Sequence, residues 1–216
     1  KPIAVGLRHI SVMLSVVMLA ACPSKGKTQP NIVLILADDL GYGSVGCYGA
    51  DPALVRTPAI DRLAREGVCF TDASTPSSVC SPTRASLMTG KHPARLDLTN
   101  WIGGEQSGLL DQAEYIRELP LSEVTVGEAF QAAGYQTGYV GKWHLGGAEF
   151  LPDAQGFDYM FAVNEAGQPG AYFPPYENPN YAVTNVPDLD GDPEGTYLTD
   201  RLTDVTIDFL TEHQEE

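Results

Sequence analysis

Blocks of apolar and polar residues along the chain predict strands and helices in turn. The run NIVLILADD at residues 31–39 is apolar until two aspartates end it, which is typical of a strand buried on both faces of a parallel sheet. Residues 68–74 and 135–141 predict two further strands. Strands separated by helices favour an α/β fold with a mainly parallel sheet, whose ligands bind beyond the carboxyl ends of the strands.

Helical patterns lie between and after these strands. Residues 57–67 predict a helix that starts at a proline and stops at a glycine, and residues 81–90 predict one with a proline in its first turn. Residues 125–134 open with a Thr-to-Glu capping-box spacing, and residues 197–210 place their large apolar side chains on one face. The region 151–195 is rich in Pro, Gly, Asn and Asp and predicts long loops.

Residues 1–22 differ from the rest of the chain and predict a lipoprotein-type signal peptide. The apolar stretch ISVMLSVVMLAAC follows Lys1 and Arg8, is too short to span a bilayer, and ends in small residues, as export signals do. Its ending LAAC resembles a bacterial lipobox, so we expect a lipid anchor on Cys22; an ordinary cleaved signal with an incidental cysteine is the alternative. Residues 23–30 predict a polar tether, and we expect an exported periplasmic or cell-surface protein of a bacterium.

Composition and charge narrow the range of partners. A hydrophobic content of 43% is enough to bury a core, while a net charge of −15 argues against nucleic acid, whose phosphates need a basic stripe. An anionic substrate therefore needs a local cation or metal to attract it. Export also implies an oxidising compartment, which makes Cys47 and Cys69 candidates for a disulfide that the sequence does not decide.

Two adjacent carboxylates, Asp38 and Asp39, end the first predicted strand. Like charges this close are costly unless a cation neutralises them, and their hard oxygen atoms suit calcium or magnesium. A plain turn is the alternative, because aspartates are common in turns. Their position at the carboxyl end of a strand favours the metal site.

A cysteine, a proline and an arginine stand within five positions where the second helix is predicted to start, in VCSPTRASLMTGKHP at residues 79–93. The positive end of the helix dipole favours an anion or an activated nucleophile there, which points to Cys80. Arg84 follows one turn later and can clamp an oxyanion. A buried structural cysteine is the alternative.

Lys142 and His144 follow the third predicted strand, in GKWHLG. In an extended chain they share a side, where an ammonium and an imidazole could bind an anion and protonate a leaving oxygen. The alternative is a solvent-exposed loop with Trp143 packed inward. The three motifs all follow predicted strands, and an α/β fold brings such positions together, which favours a shared site.

Together these motifs resemble a known family. PNIVLILADDLGYGSVGCYG, CSPTRASLMTG and GYQTGYVGKWHLG are similar to the N-terminal half of the type I sulfatases, in the alkaline-phosphatase-like superfamily. The CxPxR signature is highly specific, and the resemblance covers nearly everything after the tether. It implies that residues 31–216 form the N-terminal part of the catalytic domain of a sulfuric ester hydrolase, acting on an aryl sulfate or a sulfated carbohydrate.

The resemblance also implies how such a site would form. A maturation enzyme would oxidise Cys80 to Cα-formylglycine, whose hydrate attacks sulfur with one hydroxyl and eliminates sulfate with the other. Asp38 and Asp39 would bind a divalent cation, most often calcium with magnesium as the alternative, that also touches the formylglycine at position 80.

Three cationic side chains would complete the arrangement that the resemblance implies. Arg84 would hold the hydrate, Lys142 would bridge it and the sulfate, and His144 would orient or protonate at the same centre, which gives a cationic pocket inside an acidic protein. The family's remaining metal ligands have no match up to residue 216, so we expect this stretch to be inactive by itself.

Two other functions stay open from the sequence alone. A phosphonate or phosphate monoester hydrolase of the same superfamily would share the CxPxR motif, and an inactive surface glycan-binding protein would keep Cys80 unmodified. Trp101, Tyr172 and Tyr176 could line a cleft by stacking on sugar rings, although loop packing is the favoured interpretation of these aromatic residues.

Overall fold

The computed structural model describes the chain over three ranges, residues 29–105, 108–180 and 186–213. The predicted signal peptide with Cys22, and most of the predicted tether, lie outside the described residues. No helix within those ranges is long and apolar enough to cross a bilayer. The chain divides into two compact units, Lys1–Asp39 and Leu40–Glu216.

In the first unit, the apolar run that predicts a buried strand forms no strand. Residues 31–37 have no regular secondary structure and are exposed, by 83% at Ile35. A strand buried on both faces is stable only inside a wide sheet with covered faces, and the sheet among the described residues has two strands. The strand prediction is therefore wrong here, although the run does end in a turn at Asp38 and Asp39, with Asp39 at φ 58°.

The described part of the second unit contains four α-helices and two strands: α1 Pro58–Glu66, α2 Cys80–Thr89, α3 Val126–Ala132, β1 Gly138–Val140, β2 Tyr159–Phe161 and α4 Leu198–Glu212. Short 3₁₀ helices lie before α1, at Tyr42–Ser44 and Gly46–Tyr48, and between the later elements, at Pro93–Arg95, Ala148–Phe150 and Pro152–Gln155. All four predicted helices are confirmed within one or two residues of their expected ends.

Local capping explains why the helices were predictable. The helix α1 ends where the Gly67 N–H donates to the Leu63 carbonyl at 2.9 Å. At the start of α3 the Thr125 hydroxyl accepts from the Glu128 N–H at 3.2 Å, and the Glu128 carboxylate accepts from the Thr125 N–H at 2.8 Å. This is the full capping box that the spacing predicts, and it needs no distant residue.

The sheet is a parallel pair, with Gly138, Tyr139 and Val140 of β1 opposite Tyr159, Met160 and Phe161 of β2. The strand at β1 is confirmed and so is the α/β class, but the strand predicted at 68–74 is absent from the structure. The strand β2 lies in the region predicted as loops, because three residues are too few for a periodic pattern.

The main hydrophobic core lies around Trp143, which is 0% exposed and donates its indole N–H to the Phe150 carbonyl at 2.8 Å. The buried residues of this core come from α2, from the segment between α2 and α3 and from the residues after β1 and β2: Ala85, Met88, Leu96, Leu98, Leu119, Trp143, Leu145 and Val163. The helix α4 packs on β1, where a Cβ at Gly138 would lie 2.9 Å from the Phe209 ring.

Cys47 and Cys69, the candidate disulfide pair, are free thiols in the structure. Partial desolvation, followed by the neighbouring Cys69 thiol and the Asp61 carboxylate, raises the pKa of Cys47.

Asp158 fixes the starts of both strands. Its carboxylate accepts from the Thr137 N–H at 3.1 Å, just before β1, and from the Gln131 side-chain amide at 2.6 Å. These donors, Gln131 first and then Thr137, hold the pKa of Asp158 below its ordinary value. A carboxyl whose pKa is lower in the folded state contributes stability above its unfolded pKa, and this contribution is lost as pH falls through the folded pKa.

We expect Asp158→Asn to lower the free energy of unfolding of the full-length protein by up to about 1 kcal/mol at pH 7, a small value because the carboxylate is exposed. The difference from wild type should shrink as pH falls from about 4, the ordinary pKa of the unfolded carboxyl, through the lower pKa of folded Asp158, below which both forms are neutral. Urea unfolding at several pH values measures this. Asp153→Asn, the same charge change on a nearby 3₁₀ helix, is the control, and an equal pH-dependent effect there would contradict the assignment.

Candidate active site

The site is built around the start of α2. Cys80 is the first residue of this helix, and its Sγ lies 3.1 Å from Nδ1 of His144. The two residues are 64 positions apart in the chain, so the contact depends on tertiary packing. The structure therefore brings together the cysteine of CSPTR and the histidine of GKWHLG.

A second contact determines the tautomer of His144. Its Nε2 lies 2.8 Å from the carbonyl oxygen of Ile102. A carbonyl only accepts hydrogen bonds, so Nε2 carries a proton, and in the neutral ring Nδ1 is then an acceptor that faces position 80. His144 is 3% exposed, so the surrounding residues hold its imidazole in one orientation.

The loop that supplies this carbonyl is also tied to α2. The Ile102 N–H donates to the hydroxyl of Ser81 at 3.0 Å, and Ser81 is buried directly after Cys80. Ile102 binds Ser81 through its N–H and His144 through its carbonyl. The loop that carries Ile102 therefore fixes the imidazole relative to the start of α2.

Arg84 lies one turn into α2 and joins the helix to the segment after β1. Its buried guanidinium donates from Nη1 to the Tyr139 hydroxyl at 3.2 Å and to the carbonyl of Lys142. The Tyr139 hydroxyl donates to the same carbonyl at 2.6 Å. Arg84 and Lys142 are thus brought together through the main chain of Lys142, and the substrate-binding roles expected for both side chains stay predictions.

The segment GKWHLG is buried rather than solvent-exposed. Trp143 points into the core as the alternative interpretation expected, with its ring 5.0 Å from that of Tyr139. The neighbouring residues His144 and Leu145 are buried too, and only Lys142 is half-buried. The exposed-loop alternative is therefore wrong, because the large indole draws the whole segment into the core.

Asp38 and Asp39 lie in the first unit, in the turn after the apolar run, and both are exposed. Their adjacent carboxylates are hard oxygen donors of the kind that calcium and magnesium prefer, and they offer part of a six- to eight-oxygen ligand set. Among the described residues no three His, Cys, Asp or Glu side chains are grouped as a metal site. The pair therefore fits a cation as part of a larger set of ligands.

Several groups that position the site were not predicted from the sequence: the Ile102 carbonyl, the Ser81 hydroxyl, the Tyr139 hydroxyl and Gly167. A Cβ at Gly167 would lie 2.5 Å from Cε1 and 2.9 Å from Nδ1 of His144, so only glycine leaves room for the imidazole. Tyr139 could have been found from its place at the end of a predicted strand, directly before GKWHLG. Nothing local to Ile102 or Gly167 indicates their contacts.

The sulfatase family profile matches residues 30–216 of this chain, so the chain belongs to the sulfatase family. Human arylsulfatase A is 49% identical over 137 residues, which cover 62% of this chain and 25% of that protein. An N-acetylgalactosamine-6-O-sulfatase of Bacteroides thetaiotaomicron is 38% identical over 174 residues, which cover 72% of this chain and 32% of the relative. The chain thus spans a quarter to a third of the length of these relatives.

Similarity to a solved structure also supports membership of the sulfatase family. The crystal structure of Ps i-CgsB in complex with k-i-k-neocarrahexaose matches with a TM-score of 0.63 at 31% identity, covering 85% of this chain and 41% of the other. Family membership confirms the resemblance that the motifs indicate, and with the parallel strand pair it confirms the α/β fold class.

We expect Gly167→Ala to displace the His144 ring, because the new methyl group and the imidazole cannot both occupy the space. Such overpacking costs about 1–3 kcal/mol of folding free energy. Long-range ¹H–¹⁵N spectra of the full-length protein should show a His144 Nε2–H tautomer in the wild type and altered imidazole shifts in the variant. Gly43→Ala is the control, since a Cβ there meets nothing within 4 Å. Unchanged His144 shifts in Gly167→Ala would contradict the packing.

Proposed function

We propose that the full-length protein is a sulfatase that hydrolyses the sulfate ester of a sulfated carbohydrate. The observation that carries the proposal is the contact between Cys80, within the CSPTR signature at the start of α2, and His144 of GKWHLG, 3.1 Å apart. Membership of the sulfatase family supports it.

The substrate class is supported by two similar proteins. One relative is an N-acetylgalactosamine-6-O-sulfatase, and the similar crystal structure contains a neocarrahexaose. Both names refer to carbohydrate ligands. For this chain we therefore favour a sulfated sugar over a simple aryl sulfate.

Position 80 is the reaction centre in this proposal. A formylglycine-generating maturation enzyme would oxidise Cys80. One hydroxyl of the hydrated aldehyde would attack sulfur as the S–O bond to the sugar breaks and the alcohol leaves, and the second hydroxyl would then help to eliminate sulfate, which regenerates the aldehyde. His144 faces this position with Nδ1 as an acceptor, because its Nε2 proton is held by Ile102. It can therefore take a proton from the group at position 80 and return it at the same atom.

Arg84 and Lys142 supply positive charge in the proposal. Arg84 is fixed by the Tyr139 hydroxyl and the Lys142 carbonyl, so its guanidinium is held beside the segment that carries Lys142 and His144. Lys142 is held at the same point through its main chain. In a protein with a net charge of −15, such local cations are needed to bind a sulfate.

Asp38 and Asp39 would hold a divalent cation, calcium or magnesium, with further ligands. When bound, such a cation neutralises sulfate oxygens and lowers the pKa of a nearby hydroxyl. The two carboxylates would bind and orient this ion through oxygen atoms alone.

Export and a lipid anchor on Cys22 form part of the proposal. The support is the sequence of residues 1–22, with its apolar stretch and the ending LAAC. The protein would then meet its substrate in the periplasm or at the cell surface, attached to the membrane only through the lipid.

We expect full-length protein produced with the maturation enzyme to show a mass about 18 Da lower in the peptide that contains Cys80, because the thiol becomes an aldehyde. The protein should then cleave sulfated oligosaccharides, and Cys80→Ala should lower kcat at least about a thousandfold, since it removes the nucleophile's precursor. Peptide mass spectrometry and sulfate release measure the two results.

The same experiment separates the competing functions. Faster cleavage of 4-nitrophenyl phosphate than of 4-nitrophenyl sulfate would favour the phosphate monoester hydrolase. Binding of sulfated oligosaccharide with an unmodified Cys80 and no turnover would favour the glycan-binding protein. Either result would overturn the proposal.

Removal of the cation should lower the sulfatase activity. We expect a chelator to reduce sulfate release at least about tenfold and added calcium or magnesium to restore it. Asp38→Asn should raise the calcium concentration needed for half-maximal activity, whereas the control Asp111→Asn, at another exposed aspartate, should not. Activity that survives chelation in full would argue against a cation at this pair.

A further inference from the structure

One of the three aromatic residues that the sequence left between substrate contact and loop packing lies beside the site. Tyr176 is 1% exposed and belongs to a second hydrophobic core. Tyr172 is exposed but packs against Tyr197, with ring centres 6.2 Å apart. Trp101 is 40% exposed, and its ring centre lies 6.3 Å from that of His144.

The loop that carries Trp101 is held by several hydrogen bonds. The Tyr115 hydroxyl lies 2.9 Å from the Trp101 carbonyl and 3.1 Å from the Gly104 carbonyl. The side-chain amide of Gln112 donates to the Gly104 carbonyl at 2.8 Å, and the Gly104 N–H donates to the Trp101 carbonyl at 2.9 Å. The exposed indole therefore stands on an ordered turn.

The missing side chain at Gly104 lets the indole of Trp101 pack directly on the main chain. A Cβ at Gly104 would lie 2.7 Å from Nε1 and from Cε2 of Trp101, so the ring lies directly against the main chain of its own loop. A side chain held in one orientation loses little conformational entropy when a ligand packs on it. The indole is thus preorganised for a flat partner.

The same loop connects the indole to position 80. Ile102, the next residue, binds His144 through its carbonyl and Ser81 through its N–H. A ring attached to a sulfate at position 80 would therefore have the indole of Trp101 within reach. Indoles suit sugar rings, because both present an apolar surface and polar groups at the edge.

From this arrangement we propose that Trp101 determines substrate specificity by stacking on the sugar ring that carries the sulfate. The inference rests on the proposed sulfatase function and names the group that recognises the sugar. It replaces the loop-packing interpretation for Trp101 and leaves that interpretation in place for Tyr172 and Tyr176.

The kinetic test uses full-length protein produced with the maturation enzyme and assayed on N-acetylgalactosamine 6-sulfate and on carrageenan oligosaccharides. Trp101→Ala should raise KM for the sulfated sugar that the wild type cleaves by about threefold to tenfold, with a fall in kcat of less than about twofold. Trp101→Phe should recover part of the KM loss, because a smaller aromatic ring remains. Tyr172→Ala, which removes an exposed aromatic side chain beside Tyr197, is the matched control and should change neither constant.

A binding measurement gives a readout that does not depend on turnover. The described residues contain two tryptophans, Trp101 and the fully buried Trp143, so a bound sugar can reach only the first of these. Oligosaccharide added to the full-length Cys80→Ala protein should shift the tryptophan emission, and the shift should be clearly smaller when Trp101→Phe is added, since the difference between the two proteins reports on Trp101 alone.

Each other outcome has a definite meaning. An unchanged KM in Trp101→Ala, with wild-type cleavage of the sugar intact, would overturn the stacking role and leave the sulfatase function standing. A fall in kcat larger than the rise in KM would show that Trp101 acts through Ile102 and His144, and would also overturn it. Failure of the wild type to cleave any of these sugar sulfates or 4-nitrophenyl sulfate would refute the proposed function itself.

Discussion

The carbonyl oxygen of Lys142 accepts hydrogen bonds from the buried Arg84 guanidinium and from the Tyr139 hydroxyl. The geometry of the site depends on these two hydrogen bonds. A buried guanidinium needs oxygen partners, so the charge of Arg84 holds α2 and the segment after β1 together. The guanidinium also donates to the Tyr139 hydroxyl at 3.2 Å, so α2 is tied to β1 as well. Together with the bonds of Ile102 to His144 and to Ser81, this connection holds the 3.1 Å contact between Cys80 and His144.

Further contacts orient the imidazole of His144 relative to α2 and the segment after β1. The Ile102 carbonyl fixes the proton on Nε2, and the missing side chain at Gly167 leaves space for the ring. Trp143 anchors the intervening segment in the core. The His144 side chain is therefore restrained by a hydrogen bond, by the space left at Gly167 and by the burial of the neighbouring Trp143. Such combined restraints keep a reactive group in a single orientation.

Strands were harder to predict than helices, for a physical reason. A helix satisfies its own backbone, so the glycine after α1 and the capping box of α3 were enough to place both elements. A strand satisfies its backbone only with a partner. The apolar run at 31–39 has the pattern of a buried strand but is exposed here, while the three-residue β2 forms because β1 lies beside it.

The sequence by itself determined which reactive side chains the chain carries: the cysteine and arginine of CSPTR at a helix start, the lysine and histidine of GKWHLG, and the adjacent aspartates. It also determined the family, since the CxPxR signature and its neighbours are specific in type and order. Only the tertiary structure decided that His144 meets Cys80 and that Ile102 fixes its proton. It also placed the Trp101 indole beside the site. These contacts join positions far apart in the chain, and packing of the core around Trp143, rather than any local pattern, brings them within reach.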